Sequence, residues 1–228
     1  PAGTYCDSGR RLLCPAGHYG DQEGLSDPSC SGLCAAGFYC PQGSTSSTQV
    51  ECGSADYACP AGSASPTDVP PGWYSTPETG LPSQRTAQLV CPPGWYCPGD
   101  GLRHKCPAGS YGIETGLRSV ACSGVCPAGY YCPEGTADPS AFPCGGPEMY
   151  CPVGSAAPTL ADSGHYTVGD GAVQWLGLAD GQLDPGEWSA VVVADRSQTA
   201  FVSGYPGVNV TRTAQLVCPR GHWCAGGL

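Results

Sequence analysis

The chain is short of the side chains from which an ordinary interior is built: Leu, Ile, Val and Phe together make up 33 of its 228 residues. At that fraction a conventional buried core is not expected. No segment carries apolar residues at i, i+3 and i+4 over three turns, so helix content is expected to be small. The longest apolar run, Ala190–Ala194, is far too short to cross a bilayer. A single lysine and a formal net charge of −10 leave no basic surface for phosphates and argue against nucleic acid as a partner. The acidic groups are scattered, a pattern that serves solubility and marks no partner. The sequence contains no Gly-x-Ser-x-Gly elbow, no zincin helix and no phosphate-binding loop, so we expect no enzyme and no cofactor. No signal peptide is visible.

What the chain has instead is 17 cysteines, 35 glycines and 24 prolines. The cysteines fall into a unit that occurs twice. Cys14, Cys30, Cys34, Cys40, Cys52 and Cys59 each recur 92 positions later, as Cys106, Cys122, Cys126, Cys132, Cys144 and Cys151. The second unit opens with Cys91 and Cys97, and a third begins with Cys218 and Cys224. The text between them repeats too: Cys14-Pro-Ala-Gly-His-Tyr-Gly matches Cys106-Pro-Ala-Gly-Ser-Tyr-Gly. A long fixed period signals an array of modules. The odd cysteine is Cys6, in Pro1-Ala-Gly-Thr-Tyr-Cys6, which matches Pro92-Pro-Gly-Trp-Tyr-Cys97; there a cysteine stands just before the proline. The expectation is a cysteine before Pro1 as well, and a chain that is an interior piece of a longer polypeptide. All seventeen cysteines are therefore assigned to disulfides. Each disulfide stabilises by roughly 2–4 kcal/mol, mainly by restricting the unfolded chain, and such density implies an oxidising compartment, secreted or at the cell surface.

The expected fold is a tandem of small disulfide-rich modules, mostly irregular, with short β-strands, little helix, an elongated form and one small β insertion. Residues 1–13 end an upstream unit, 14–65 form a first module, 66–90 a proline-rich extended connector and 91–157 a second module. Residues 158–217 are a connector with a β-rich insertion at about 167–211, and 218–228 start a third unit. The strand candidates of the insertion are Ala172–Leu176, Ser189–Ala194 and Thr199–Ser203. Tyr19 and Tyr111 are expected to lie flat against nearby disulfides.

Zinc is the alternative for Cys30-x3-Cys34 and Cys122-x3-Cys126, but cysteine density and Gly/Pro content favour disulfides. Three histidines change identity between units: His18 corresponds to Ser110, His165 to Trp73 and His222 to Trp95. A ligand role repeated with the module is thereby excluded. Asp180, Asp184 and Glu187 surround a turn without the spacing of a twelve-residue calcium loop, and read as a solvated turn. Asn209-Val-Thr211 is an N-glycosylation acceptor. Pro66, Pro70, Pro71 and Pro158 are the candidate sites for hydroxylation and O-glycosylation. Trp73, Tyr74, Trp95 and Tyr96 could stack on sugars, though covering disulfides and glycines is the simpler task.

The Cys-Pro-Ala-Gly-x-Tyr and Cys-Pro-x-Gly-x-Tyr-Cys-Pro-x-Gly elements, across about 14–65 and 91–157, resemble the ephrin-receptor-like cysteine-rich repeats, themselves similar to tumour-necrosis-factor-receptor modules. The resemblance implies pairing of Cys14 with Cys30 and of Cys106 with Cys122, and leaves the other partners open. Long arrays of such modules occur in extracellular proteins of protists and algae, including mastigoneme proteins, the hair-like filaments on flagella. The function this implies is a structural subunit of an extracellular glycoprotein filament, its partners being copies of itself and attached glycans. The alternative is a receptor or adhesin ectodomain that binds a protein or glycan.

Overall fold

Frequent proline and glycine cut the strands short, most of them to two residues. A computed structural model describes residues 1–146, 148–169 and 211–218. In chain order β1 (Thr4–Asp7) pairs with β2 (Arg10–Leu13), β3 (His18–Tyr19) with β4 (Gly32–Leu33), β5 (Phe38–Tyr39) with β6 (Val50–Glu51) and β7 (Tyr57–Ala58) with β8 (Thr67–Asp68). Next, β9 (Trp73–Thr76) pairs with β10 (Ala87–Val90), and β11 (Trp95–Tyr96) and β12 (His104–Lys105) follow. Then β13 (Ser110–Tyr111) pairs with β14 (Gly124–Val125), β15 (Met149–Tyr150) with β16 (Thr159–Leu160) and β17 (His165–Gly169) with β18 (Arg212–Val217). These pairings are all antiparallel. Among the described residues the one helical element is the 3-10 turn Pro82–Gln84. The fold is thus a set of small disulfide-rich modules, nearly free of helix.

Seven disulfides join Cys14–Cys30, Cys34–Cys40, Cys52–Cys59, Cys91–Cys97, Cys106–Cys122, Cys126–Cys132 and Cys144–Cys151. The first and fifth are the pairs that the resemblance implied. Neighbours in the Cys-x3-Cys pairs belong to different disulfides, so their sulfurs are not thiolates free for zinc. Cys218 is disulfide-bonded too, and its expected partner Cys224 lies outside the described residues. Cys6 is exposed and has no disulfide partner among the described residues. In the equivalent loops the partner stands six residues earlier, a position that precedes Pro1.

One backbone device recurs along the chain. In Pro15-Ala-Gly17-His18 the His18 amide donates to the Pro15 carbonyl, and Gly17 takes the positive φ (+88°) that such a turn demands. Gly17 then grips the next disulfide: its carbonyl accepts from the Cys34 amide at 2.9 Å, and its amide donates to the Cys40 carbonyl at 2.8 Å. Gly37 does the same to Cys52–Cys59, Gly72 to Cys91–Cys97, Gly109 to Cys126–Cys132 and Gly129 to Cys144–Cys151. Short loops that offer little side-chain packing thereby have their backbone polar groups satisfied.

The same turns explain why residues 66–90 are not the extended polyproline connector expected from their composition. Pro70-Pro71-Gly72-Trp73 is the turn without a preceding cysteine; the Trp73 amide donates to the Pro70 carbonyl, and β9 and β10 form a hairpin. Val69, Tyr74, Ser75 and Arg85 are buried there. Residues 158–217 follow suit. Asp162-Ser-Gly164-His165 makes the turn, the Gly164 carbonyl accepts from the Cys218 amide, and Thr167–Gly169 belong to the hairpin stem and not to a separate insertion. The register agrees between hairpins, Tyr74 opposite Leu89 and Tyr166 opposite Leu216. The extra 35 residues therefore enter at the hairpin tip, beyond Gly169 and before Arg212. The strand candidates at 172–176, 189–194 and 199–203, with Asp180, Asp184, Glu187, Asn209 and His222, lie outside the described residues.

The chain divides into two compact units, Pro1–His104 with Thr115–Ser119, and Lys105–Glu114 with Val120–Leu228. In each, cysteines are the interior. Cys14, Cys34, Cys40, Cys52, Cys59, Cys91 and Cys97 in the first, and Cys106, Cys126, Cys132, Cys144 and Cys151 in the second, are at most 2% exposed. Tyr19 and Tyr111 face glycine: a methyl added at their cross-strand partners Gly32 and Gly124 would meet their ring carbons at 3.8 and 3.7 Å. The rings occupy the space left by a missing side chain.

A methyl at Gly109 would stand 2.4 Å from the Gly154 carbonyl oxygen, whereas one at Gly154 would meet nothing within 4 Å, although both have φ near +80°. Gly109→Ala should therefore cost at least about 3 kcal/mol and Gly154→Ala only about 1 kcal/mol. Thermal unfolding of the oxidised variants checks this; equal losses would contradict it.

Candidate interaction surface

With sulfur inside, large aliphatic side chains are left outside. Leu33, Leu81, Ile113, Val125, Val153, Leu160 and Val217 are all more than half exposed. Some shield a turn glycine, as Leu13 does Gly43 (3.3 Å to an added methyl) and Leu33 does Gly62 (3.0 Å). In the second unit Val125 stands where Leu33 does in the first, and it is too short to reach Gly154. A shallow apolar groove of about 460 Å³ results, lined by Pro107, Ala108, Val120, Ala121, Val125 and the intervening glycines.

The first unit carries an aromatic cluster. Tyr74 packs on the Cys91–Cys97 disulfide with Trp95 beside it. The Arg103 guanidinium lies over both rings, 5.2 Å from Tyr74 and 4.6 Å from Trp95, and ion-pairs with Glu78 at 2.8 Å. The His104 ring stacks on Tyr96 and bonds Asp100 at 2.7 Å. Burial pushes the Asp100 carboxyl up, but the Leu102 amide and the bond and charge of His104 outweigh it and hold the group below its ordinary value. Of the four aromatics considered for sugar stacking, Tyr74 and Trp95 therefore cover a disulfide, while Trp73 is 38% exposed.

In the second unit Arg212 fastens the base of the long hairpin tip. Its Nη1 donates to the Thr167 carbonyl (2.6 Å) and hydroxyl (3.0 Å), and Gln215 and Asp162 exchange two further bonds. Burial pulls the Arg212 guanidinium below its ordinary value, partly countered by the charge of Glu148. Pro70 and Pro71 are exposed, and Pro66 and its counterpart Pro158 half-buried. None of them is sealed in an interior. Among the described residues no group of three His, Cys, Asp or Glu is placed to hold a metal, and no helix is long and apolar enough to cross a membrane.

Comparison with protein-family models and with curated proteins finds no match. The density of disulfides fits a chain that matures in an oxidising compartment, secreted or extracellular.

Two Asp-Pro-Ser turns carry a titration signature. The Ser29 hydroxyl and then its amide hold Asp27 below its ordinary value, as Ser140 does Asp138. Both native values are lowered, so any stabilisation is present above the ordinary value near 3.9 and is lost as pH falls through the native ones. Carboxyl-carbon NMR titration should show both groups titrating low and Ser29→Ala raising Asp27 alone, part of the way, because the residue-29 amide still donates to it. An unchanged Asp27 curve in that variant would refute the assignment.

Proposed function

We propose that the chain is a structural, non-enzymatic segment of an extracellular filament of the mastigoneme kind, glycosylated and built from disulfide-stapled modules that associate through their outer surfaces. The observation that carries this reading is the inversion of the usual arrangement: cysteines fill the interior, and the side chains that normally build a core, Leu33, Ile113, Val125 and Leu160 among them, face outward. Exposed aliphatic groups repeated along covalently closed modules suit lateral contact with other copies. The sulfur interior supplies shape that does not depend on those contacts. Glycan on Asn209 and on prolines such as Pro70 and Pro71 would keep the remaining surface hydrated.

A second reading, a receptor or adhesin ectodomain, draws on the apolar groove at Pro107–Val125; at the matching place in the first unit Leu33 covers Gly62. Negative-stain microscopy of native material separates the two. Regular helical fibres are the outcome expected here; dispersed monomers at high concentration would reject the filament reading and leave the receptor one.

A further inference from the structure

The strand edges of the first unit are not equally protected. In the β1–β2 hairpin the far side of β1 is covered, since the Cys6 amide donates to the Leu25 carbonyl at 2.8 Å. In the β9–β10 hairpin the far side of β9 is covered by Gly101, whose carbonyl accepts from Ser75. The outer edge of β2 has no such cover: among the described residues its backbone bonds only to β1, and all four of its residues are exposed. β10 has a comparable edge but carries Ala87 and Gln88 where β2 carries Arg10 and Arg11.

Positive charge is scarce in this chain, and here two arginines stand side by side on an open edge. Of its nine Lys and Arg residues against nineteen acids, Arg103 and Lys105 are ion-paired, Arg85 is buried and Arg212 is half-buried. Arg10, Arg11 and Arg118 are exposed and in no ion pair among the described residues, and of the three only Arg10 and Arg11 stand on a strand. An open strand edge that bears positive charge on an acidic protein calls for an acidic strand.

β6 offers one. As a strand it pairs with β5 alone and both its residues are exposed; beyond it the Gly53 amide donates to the Ser83 carbonyl at 3.3 Å, and among the described residues Glu51 accepts only from the neutral Gln84 amide, at 3.5 Å. Set antiparallel against β2, it can place Glu51 opposite Arg11, Val50 opposite Leu12 and Gln49 opposite Leu13, so charge and apolar pairs agree in a single register.

Resting on the filament reading, we propose that the outer edge of β2 in one copy takes β6 of a second copy by strand addition, with Arg11 and Glu51 as the charge pair. β2 and β6 are different edges of the same chain. The contact is therefore heterologous and continues into an open assembly, not a closed dimer.

The test is sedimentation velocity of the purified, oxidised chain across a concentration series, at low and at high salt. Wild type should associate with rising concentration, and less so at high salt. Arg11→Glu and Glu51→Arg should each weaken association roughly tenfold or more, and both changes in one chain should restore it. An unaltered disulfide map in each variant establishes that the fold is kept. If wild type associates and the single variants do so equally, this edge pairing is wrong while the filament reading survives. If the double variant stays dispersed, the Arg11–Glu51 register is wrong. If wild type remains monomeric throughout, both fall.

Discussion

The fold depends on a glycine gripping a disulfide. Five turns, centred on Gly17, Gly37, Gly72, Gly109 and Gly129, each offer a carbonyl to the amide of one cysteine and an amide to the carbonyl of its disulfide partner. The covalent bond closes a short loop, and the two hydrogen bonds fix how that loop sits on the preceding turn. Glycine is required for the positive φ, and at Gly17 and Gly109 again because another glycine's carbonyl approaches to where a methyl would be. The resulting repeat is finer than the 92-residue period: one turn, then the disulfide it holds.

That arrangement settles where the apolar residues go. A sulfur pair sealed by backbone leaves little interior for Leu or Val, so most of those side chains lie over turn glycines or face solvent, and among the described residues the buried aliphatic groups are few, Val69 and Val168 among them. Stability then comes mainly from restriction of the unfolded chain and from satisfied backbone groups, with a small contribution from burial. Modules of this kind present apolar and charged surface outward. This separation of stability from surface is what the filament proposal uses.

Much of this was legible in the residues. The cysteine spacing exposed the repeat, and the scarcity of aliphatic side chains with the absence of a helical period pointed to a disulfide-built fold with little helix. The turns at Pro70 and Asp162 were hidden because they lack the cysteine that marks the others; the Gly-Trp-Tyr and Gly-His-Tyr text after them was the available signal, and proline content masked it. That Tyr19 and Tyr111 face Gly32 and Gly124 is not legible, because sequence shows their nearness to a cysteine and not their cross-strand glycine. The edge of β2 could not be seen at all, since whether a strand has a second neighbour is a property of the folded chain.

The most direct test of the central claim is hydrogen exchange on the chain as reductant is titrated in the absence of denaturant. The account predicts that protection of the Cys34, Cys52, Cys91, Cys126 and Cys144 amides, all bonded to turn glycines, disappears as the disulfides open, with no protected core remaining. A fully reduced chain that kept native protection at those amides would contradict it.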